Sequence, residues 1–129
     1  MAYFAHQVTV QPLIPASLVK QRELEILKLF FDYETSPGID GKEKLYFFSK
    51  EYPHATEDKY GNEVTEIKII DIFQNIIRRS NGCLDYVYLH GASQCSNVCA
   101  DAFGGWVLFI WVDSAERFST WDKIAELKK

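Results

Sequence analysis

The chain has 129 residues, of which 47% are hydrophobic and 15% aromatic, and its formal net charge is −4. This length predicts one compact domain spanning residues 1–129, and the acidic balance argues against direct nucleic-acid binding, because such binding draws on a basic surface. No apolar run approaches the roughly 18 residues of a membrane span, and residues 1–7 lack the features of a signal peptide. We therefore expect a cytoplasmic protein without a membrane segment.

The first third of the chain predicts a strand followed by a helix. Residues 3–11 alternate imperfectly between polar and apolar side chains, and Pro12 and Pro15 close that strand. Ser17 is a candidate N-cap for a helix that continues to about Tyr33. The apolar stripe of this helix consists of Leu24, Leu27, Phe30 and Phe31.

The middle of the chain predicts a second strand and a second helix. Residues 43–49 are rich in β-favouring aromatics and form the strand, and residues 53–62 are polar and predict an exposed loop. Residues 63–69 fit both strand and helix periodicity, so the sequence leaves open which of the two they form. A helix over at least residues 70–80 follows, and Asn81-Gly82 supplies the left-handed stop that ends it.

The last third predicts two strands and a final helix. Residues 83–89 form a strand, residues 90–103 a loop, and residues 106–112 are apolar on both parities, which is typical of a central strand covered on both faces. Residues 113–116 match a capping box, with Asp at the N-cap and Glu three positions later, for a helix to about Leu127. The last two strands are expected to pair as an antiparallel hairpin.

The predicted element order is β-α-β-α-β-β-α, without strict βαβ alternation. This order favours an α+β fold with an antiparallel or mixed sheet of four to five strands, packed by two to three helices.

The three cysteines are an odd set in a chain without a secretion signal, so we expect free thiols. His90, Cys95 and Cys99 offer ligand types that zinc prefers, and Cys95 with His90 also offers a thiol and a base. Because their spacing is loose, small and mostly buried thiols are the preferred explanation of the cysteines. We expect no cofactor and no catalytic residue, with zinc as the alternative.

Tyrosine is the main signal for binding. Tyr86 and Tyr88 share one face of their strand, and protein interfaces concentrate such rings. A sheet covered on both faces and stacking of single-stranded bases are the alternatives, the latter disfavoured by charge. The acidic stretch after residue 50 adds further candidate contact residues. These are Tyr52, Glu57, Asp58 and Tyr60.

These features together predict a small cytoplasmic, non-enzymatic module that binds another protein. Stoichiometric inhibitors and immunity-type proteins of phages and plasmids have this profile: one acidic domain with aromatic surface and no reaction motif. Association with further copies of the chain is kept as a second kind of partner. The alternative function is a metal-binding or cysteine-dependent enzyme centred on the loop at residues 90–103.

Overall fold

The computed structural model describes residues 4–49, 52–53, 55–95 and 104–128. The strands are β1 (Phe4–Gln11), β2 (Ile14–Pro15), β3 (Asp32–Pro37), β4 (Glu43–Ser49), β5 (Ala55–Glu57), β6 (Glu63–Thr65), β7 (Val87–Cys95), β8 (Gly104–Ile110) and β9 (Ala115–Ser119). The helices are α1 (Gln21–Phe30), α2 (Glu66–Arg79) and α3 (Thr120–Leu127), with one 3-10 turn at Ala16–Leu18.

The main sheet is antiparallel throughout and follows the order β3-β4-β1-β7-β8-β9, with β2 continuing the line of β1 along β4. The chain order β1-α1-β3-β4-α2-β7, combined with the sheet order β3-β4-β1-β7, is the split βαβ arrangement. The β8-β9 hairpin and α3 extend that unit. The predicted α+β class is therefore confirmed, but the sheet is larger than the four to five strands expected.

Helices α1 and α2 pack on one face of this sheet. Helix α2 carries apolar side chains at helical spacing on a single side, and burial of that stripe is the main source of its stability. The helix side of the core consists of Leu27, Phe30, Ile69, Ile72, Phe73, Ile76 and Ile77. The strand side consists of Val8, Val10, Leu45, Phe47, Val87, Leu89, Leu108 and Ile110.

A polar cluster ties β9 to α2 across the rim of the core. The hydroxyl of Tyr52 donates to Glu66 at 2.8 Å, and Arg117 of β9 pairs with the same carboxylate. The Arg117 guanidinium lies 4.7 Å from the ring centre of Trp106, whose indole covers Gly91. Burial, reinforced by the Glu66 charge, raises the pKa of Tyr52 above its ordinary value.

The predicted bounds of the first helix and of the strand at residues 83–89 need correction. The first helix begins at Gln21 and not after Ser17, which lies in the 3-10 turn, and it ends at Phe30 instead of about Tyr33. Asp32–Pro37 forms β3, which pairs with β4 over six positions. The strand predicted at residues 83–89 lies instead at Val87–Cys95, so the first part of the predicted loop at residues 90–103 is paired on both sides, with β1 and β8. Residues 96–103 lie outside the described part of the chain.

The predicted polar loop at residues 53–62 includes β5, which forms a short hairpin with β6. Residues 63–69 contain both alternatives, a strand to Thr65 and a helix from Glu66. Asn81 and Gly82 adopt positive φ as expected.

The capping box predicted at residues 113–116 is wrong. These residues turn the chain between β8 and β9, with the Trp111 N–H donating to the Ser114 carbonyl. Helix α3 begins later, where the Ser119 hydroxyl accepts from the Asp122 N–H at 3.1 Å. None of the described helices combines the length and the apolar character that crossing a membrane requires.

Candidate binding face

The face of the main sheet opposite α1 and α2, here called the open face, has no helix packed over its centre among the described residues. The side chains of α3 whose burial is described are exposed. On the open face Gln7, His90 and Ala92 are exposed, and Phe118 is 50% exposed. In the strand predicted to be covered on both faces, Leu108 and Ile110 enter the core, whereas Val107 and Phe109 lie on the open face and are half-buried.

Four aromatic rings at one end of the open face form an aromatic cluster, consisting of Tyr86, Tyr88, Phe109 and Trp111. The Tyr88 and Phe109 residues are paired across β7 and β8, and their rings stack at 5.6 Å with an interplanar angle of 7°. Tyr86 lies 4.9 Å from Phe109, and Trp111 lies 4.6 Å from it. The rings thus hold one another in fixed positions while Tyr86 stays 41% exposed.

A groove of about 540 Å³ runs beside this cluster. The stacked rings of Tyr46 and Phe48, 5.4 Å apart, form one side, and His90 and Thr9 line the other side and the floor. The carboxylate of Glu34 lies at its edge. The groove is open to solvent and mixes aromatic walls with hydrogen-bonding groups, which suits a side chain reaching in from a partner surface.

One row of side chains crosses all six strands of the open face and ends in a carboxylate at each side. Glu34 on β3 is paired with Tyr46 on β4, and Glu116 on β9 is paired with Phe109 on β8. In order, the row contains Glu34, Tyr46, Gln11, Tyr88, Phe109 and Glu116, where Gln11 is placed beside Tyr46 by continuing the Thr9–Phe48 register by two residues. With strands about 4.8 Å apart, the two end carboxylates, Glu34 and Glu116, are separated by about 24 Å.

The residues predicted to contact a partner fall into two groups on opposite sides of the sheet. Tyr86 and Tyr88 lie on the open face. Glu57, Asp58 and Tyr60 belong to the acidic hairpin (β5, β6 and their connection), which lies on the α1 side, where Lys59 approaches Glu25 of α1 at 3.7 Å. The two tyrosines predicted beside this acidic stretch differ in burial, because Tyr60 is 76% exposed and Tyr52 only 8%. Tyr52 is therefore a core residue in this structure.

The acidic hairpin owes its shape to Asp58. Its carboxylate accepts from the backbone N–H groups of Tyr60 and Asn62, both at 2.9 Å. These hydrogen bonds, led by the one from Asn62, hold the pKa of Asp58 below its ordinary value. Asp58 thus has a local structural role in a turn whose Gly61 adopts positive φ.

The proposed zinc ligands fall only partly within the described residues. His90 is exposed on the open face. Cys95 ends β7, but its side chain and the whole of Cys99 lie outside the described part. Among described side chains no group of three His, Cys, Asp or Glu is placed to hold a metal ion. Zinc binding and thiol chemistry at these residues therefore stay predictions.

Sequence reasoning missed four residues of the open face: Phe109, Trp111, Glu34 and Glu116. The first two were assigned to a doubly covered strand and Glu116 to a helix cap, and Glu34 lies just beyond the predicted end of the first helix. The hairpin register would have placed Phe109 beside Tyr88, but no sequence signal fixed that register because residues 106–112 are apolar on both parities.

Comparisons with models of protein families, with curated proteins and with solved structures find no match to this chain.

Proposed function

We propose that this protein is a small, non-enzymatic cytoplasmic module that acts by stoichiometric contact with another protein, in the manner of an inhibitor or immunity protein. The contact surface is the open face. The observation that carries the proposal is the aromatic cluster: four large rings, packed against one another, lie on the solvent side of the sheet while the opposite side has a complete core.

The size of the open face supports this proposal. Six strands about 4.8 Å apart and about seven residues long give a projected area of about 550 Å². The aromatic cluster is the apolar part of that area, and exposed apolar patches bordered by polar residues mark interaction sites in soluble proteins. Tyr and Trp are also the side chains most enriched among residues that dominate binding energy.

The test is a quantitative pull-down from cells that naturally contain the protein, followed by mass measurement of the complex. The bait variant Tyr88→Ser/Phe109→Ser removes the centre of the aromatic cluster, and Tyr60→Ser, on the opposite side of the sheet, is the matched control because its ring is 76% exposed. We expect wild type and Tyr60→Ser to retain one partner in a fixed ratio and the double variant to lose it.

The double variant must remain folded for this comparison, which circular dichroism verifies. Equal recovery of the partner by the double variant would remove the open face from consideration. Loss with Tyr60→Ser alone would move the interface to the acidic hairpin.

A further inference from the structure

The charges on the open face define the kind of partner it accepts. Among strand side chains described on this face, the carboxylates are Asp32, Glu34 and Glu116, Lys44 is the one lysine or arginine, and His90 lies at the centre. Lys44 lies towards the end of β4 away from the groove, opposite Ser36. The central aromatic zone is therefore bordered by negative charge on both outer strands.

Each end carboxylate stands beside an aromatic ring. Glu34 is paired with Tyr46, and Glu116 with Phe109. Arginine stacks on aromatic faces and pairs with carboxylates through its planar fork, and lysine makes weaker versions of the same contacts. A ring with a neighbouring carboxylate thus satisfies both the flat face and the charge of a guanidinium.

We propose that the open face binds a protein surface that presents basic side chains, arginine above all, on both sides of an apolar strip, at points about 24 Å apart. This inference rests on the proposed function and specifies its partner. The apolar strip covers Tyr88 and its neighbours, and the basic groups meet Glu34 and Glu116. Complementary charge at such a rim mainly sets partner choice and association rate.

The same charges argue against a second copy as the occupant. If two open faces met about a two-fold axis parallel to the strands, Glu34 of one copy would oppose Glu116 of the other. If the axis ran across the strands, each carboxylate would oppose its own counterpart. Both arrangements place like charges together. A nucleic acid meets the same obstacle, because its phosphates would approach the end carboxylates.

The test uses a displayed library of random 20-residue peptides, selected on three immobilised baits. The first bait is wild type, and the second is Glu34→Lys/Glu116→Lys. The third is Glu57→Lys/Glu63→Lys, which makes the same change in net charge on the acidic hairpin, where these two residues are paired and exposed. We expect wild type and the hairpin variant to enrich peptides rich in arginine and lysine with apolar residues between them.

The Glu34→Lys/Glu116→Lys bait should instead enrich acidic peptides and bind the wild-type basic peptides about tenfold more weakly. An equal effect of the hairpin variant would show that net charge, not the open face, selects the peptides, and would overturn the inference. The selected peptides are then tested against a Tyr88→Ser protein. Peptides that lose binding to Tyr88→Ser but show no basic bias would overturn the inference and leave the proposed function standing. Absence of any Tyr88-dependent peptide would overturn both.

Two further measurements test directly whether a second copy of the chain or a nucleic acid occupies the open face. Sedimentation of wild type against Tyr88→Ser reports self-association through the open face, and anisotropy with a labelled single-stranded oligonucleotide reports base stacking. A Tyr88-dependent dimer or a Tyr88-dependent oligonucleotide complex would overturn the inference.

Discussion

Replacing Gly91 by alanine tests the strand register on which the whole open face depends. A Cβ atom at residue 91 would lie 2.5 Å from Nε1 of Trp106 and closer still to the Cε2 and Cζ2 atoms of the same indole. Real Cβ atoms essentially never approach other atoms within 3.0 Å. The indole must therefore move, although it packs against Tyr52 at 5.9 Å and against Arg117.

The cost follows from those contacts. Overpacking of a filled site typically costs 1–3 kcal/mol, and displacing the indole also weakens a cation–π contact worth roughly 0.5–1 kcal/mol. We expect Gly91→Ala to lower the free energy of unfolding by about 2–3 kcal/mol in urea denaturation. Ala92→Ser, at the adjacent exposed residue on the open face, should change it by less than about 0.5 kcal/mol.

The double variant Gly91→Ala/Trp106→Leu separates this clash from a general effect of alanine. Because leucine leaves room for the new methyl group, the double variant should lose less stability than the two single variants combined. A Gly91→Ala protein as stable as wild type would refute the register. A shift of one residue would then turn Tyr88 and His90 towards the helices, and the proposed binding face would not exist.

Two further predictions concern Tyr52 and α3. The pKa of Tyr52 is raised in the folded state, so the stabilisation by this phenol is complete below its unfolded pKa of about 10 and is lost above that pH, by up to about 1.4 kcal/mol per pH unit. In urea denaturation from pH 9 to 11, the free energy of unfolding of wild type should therefore fall relative to that of Tyr52→Phe. Parallel pH profiles of the two proteins would contradict this prediction. Ser119→Ala removes the hydroxyl that accepts a hydrogen bond from the Asp122 N–H, and it should lower the free energy of unfolding by about 1 kcal/mol. Amide hydrogen exchange should become faster in α3 and stay unchanged in α2. Equal protection of α3 in wild type and Ser119→Ala would show that the cap contributes nothing.

The sequence predicted elements well where local preference and tertiary pairing agree. Residues 43–49 form β4 with the predicted bounds, since aromatic residues between turn signals favour a strand and the sheet provides neighbours on both sides. β3 was missed because Asp32–Pro37 is mostly polar, and its pairing with β4 outweighs its weak intrinsic preference. Local sequence carries no information about that neighbour.

The bounds of β7 show a second limit. The hydroxyl of Ser80 accepts from the Leu84 N–H at 3.0 Å and lies 2.7 Å from the Ile77 carbonyl, so the chain stays in a loop after α2 and the strand begins only at Val87. This side-chain capping competes with strand pairing, and strand preference alone does not reveal it. For α3, the pattern Ser119-x-x-Asp122 was a usable start signal that the earlier Asp-x-x-Glu pattern obscured.

The candidate site was predictable only in part. The alternation of Tyr86 and Tyr88 correctly indicated a shared aromatic face. The position of the acidic hairpin relative to that face depends on its contact with α1, which connects residues far apart in sequence. The end carboxylates likewise become neighbours of aromatic rings only through pairing between strands, so their role emerges from the register and not from the spacing along the chain.

The central position of β1 has a consequence for biosynthesis. Its partner β7 pairs with it at eight positions, from Phe4 with Cys95 to Gln11 with Tyr88, whereas its register with β4 covers two positions. At 5–20 residues per second, a ribosome completes β7 about 4–17 s after β1. During that interval one edge of β1 is an unoccupied template for intermolecular pairing. The nascent chain is then most susceptible to aggregation, and a chaperone that holds its first strand would raise the yield of folded protein.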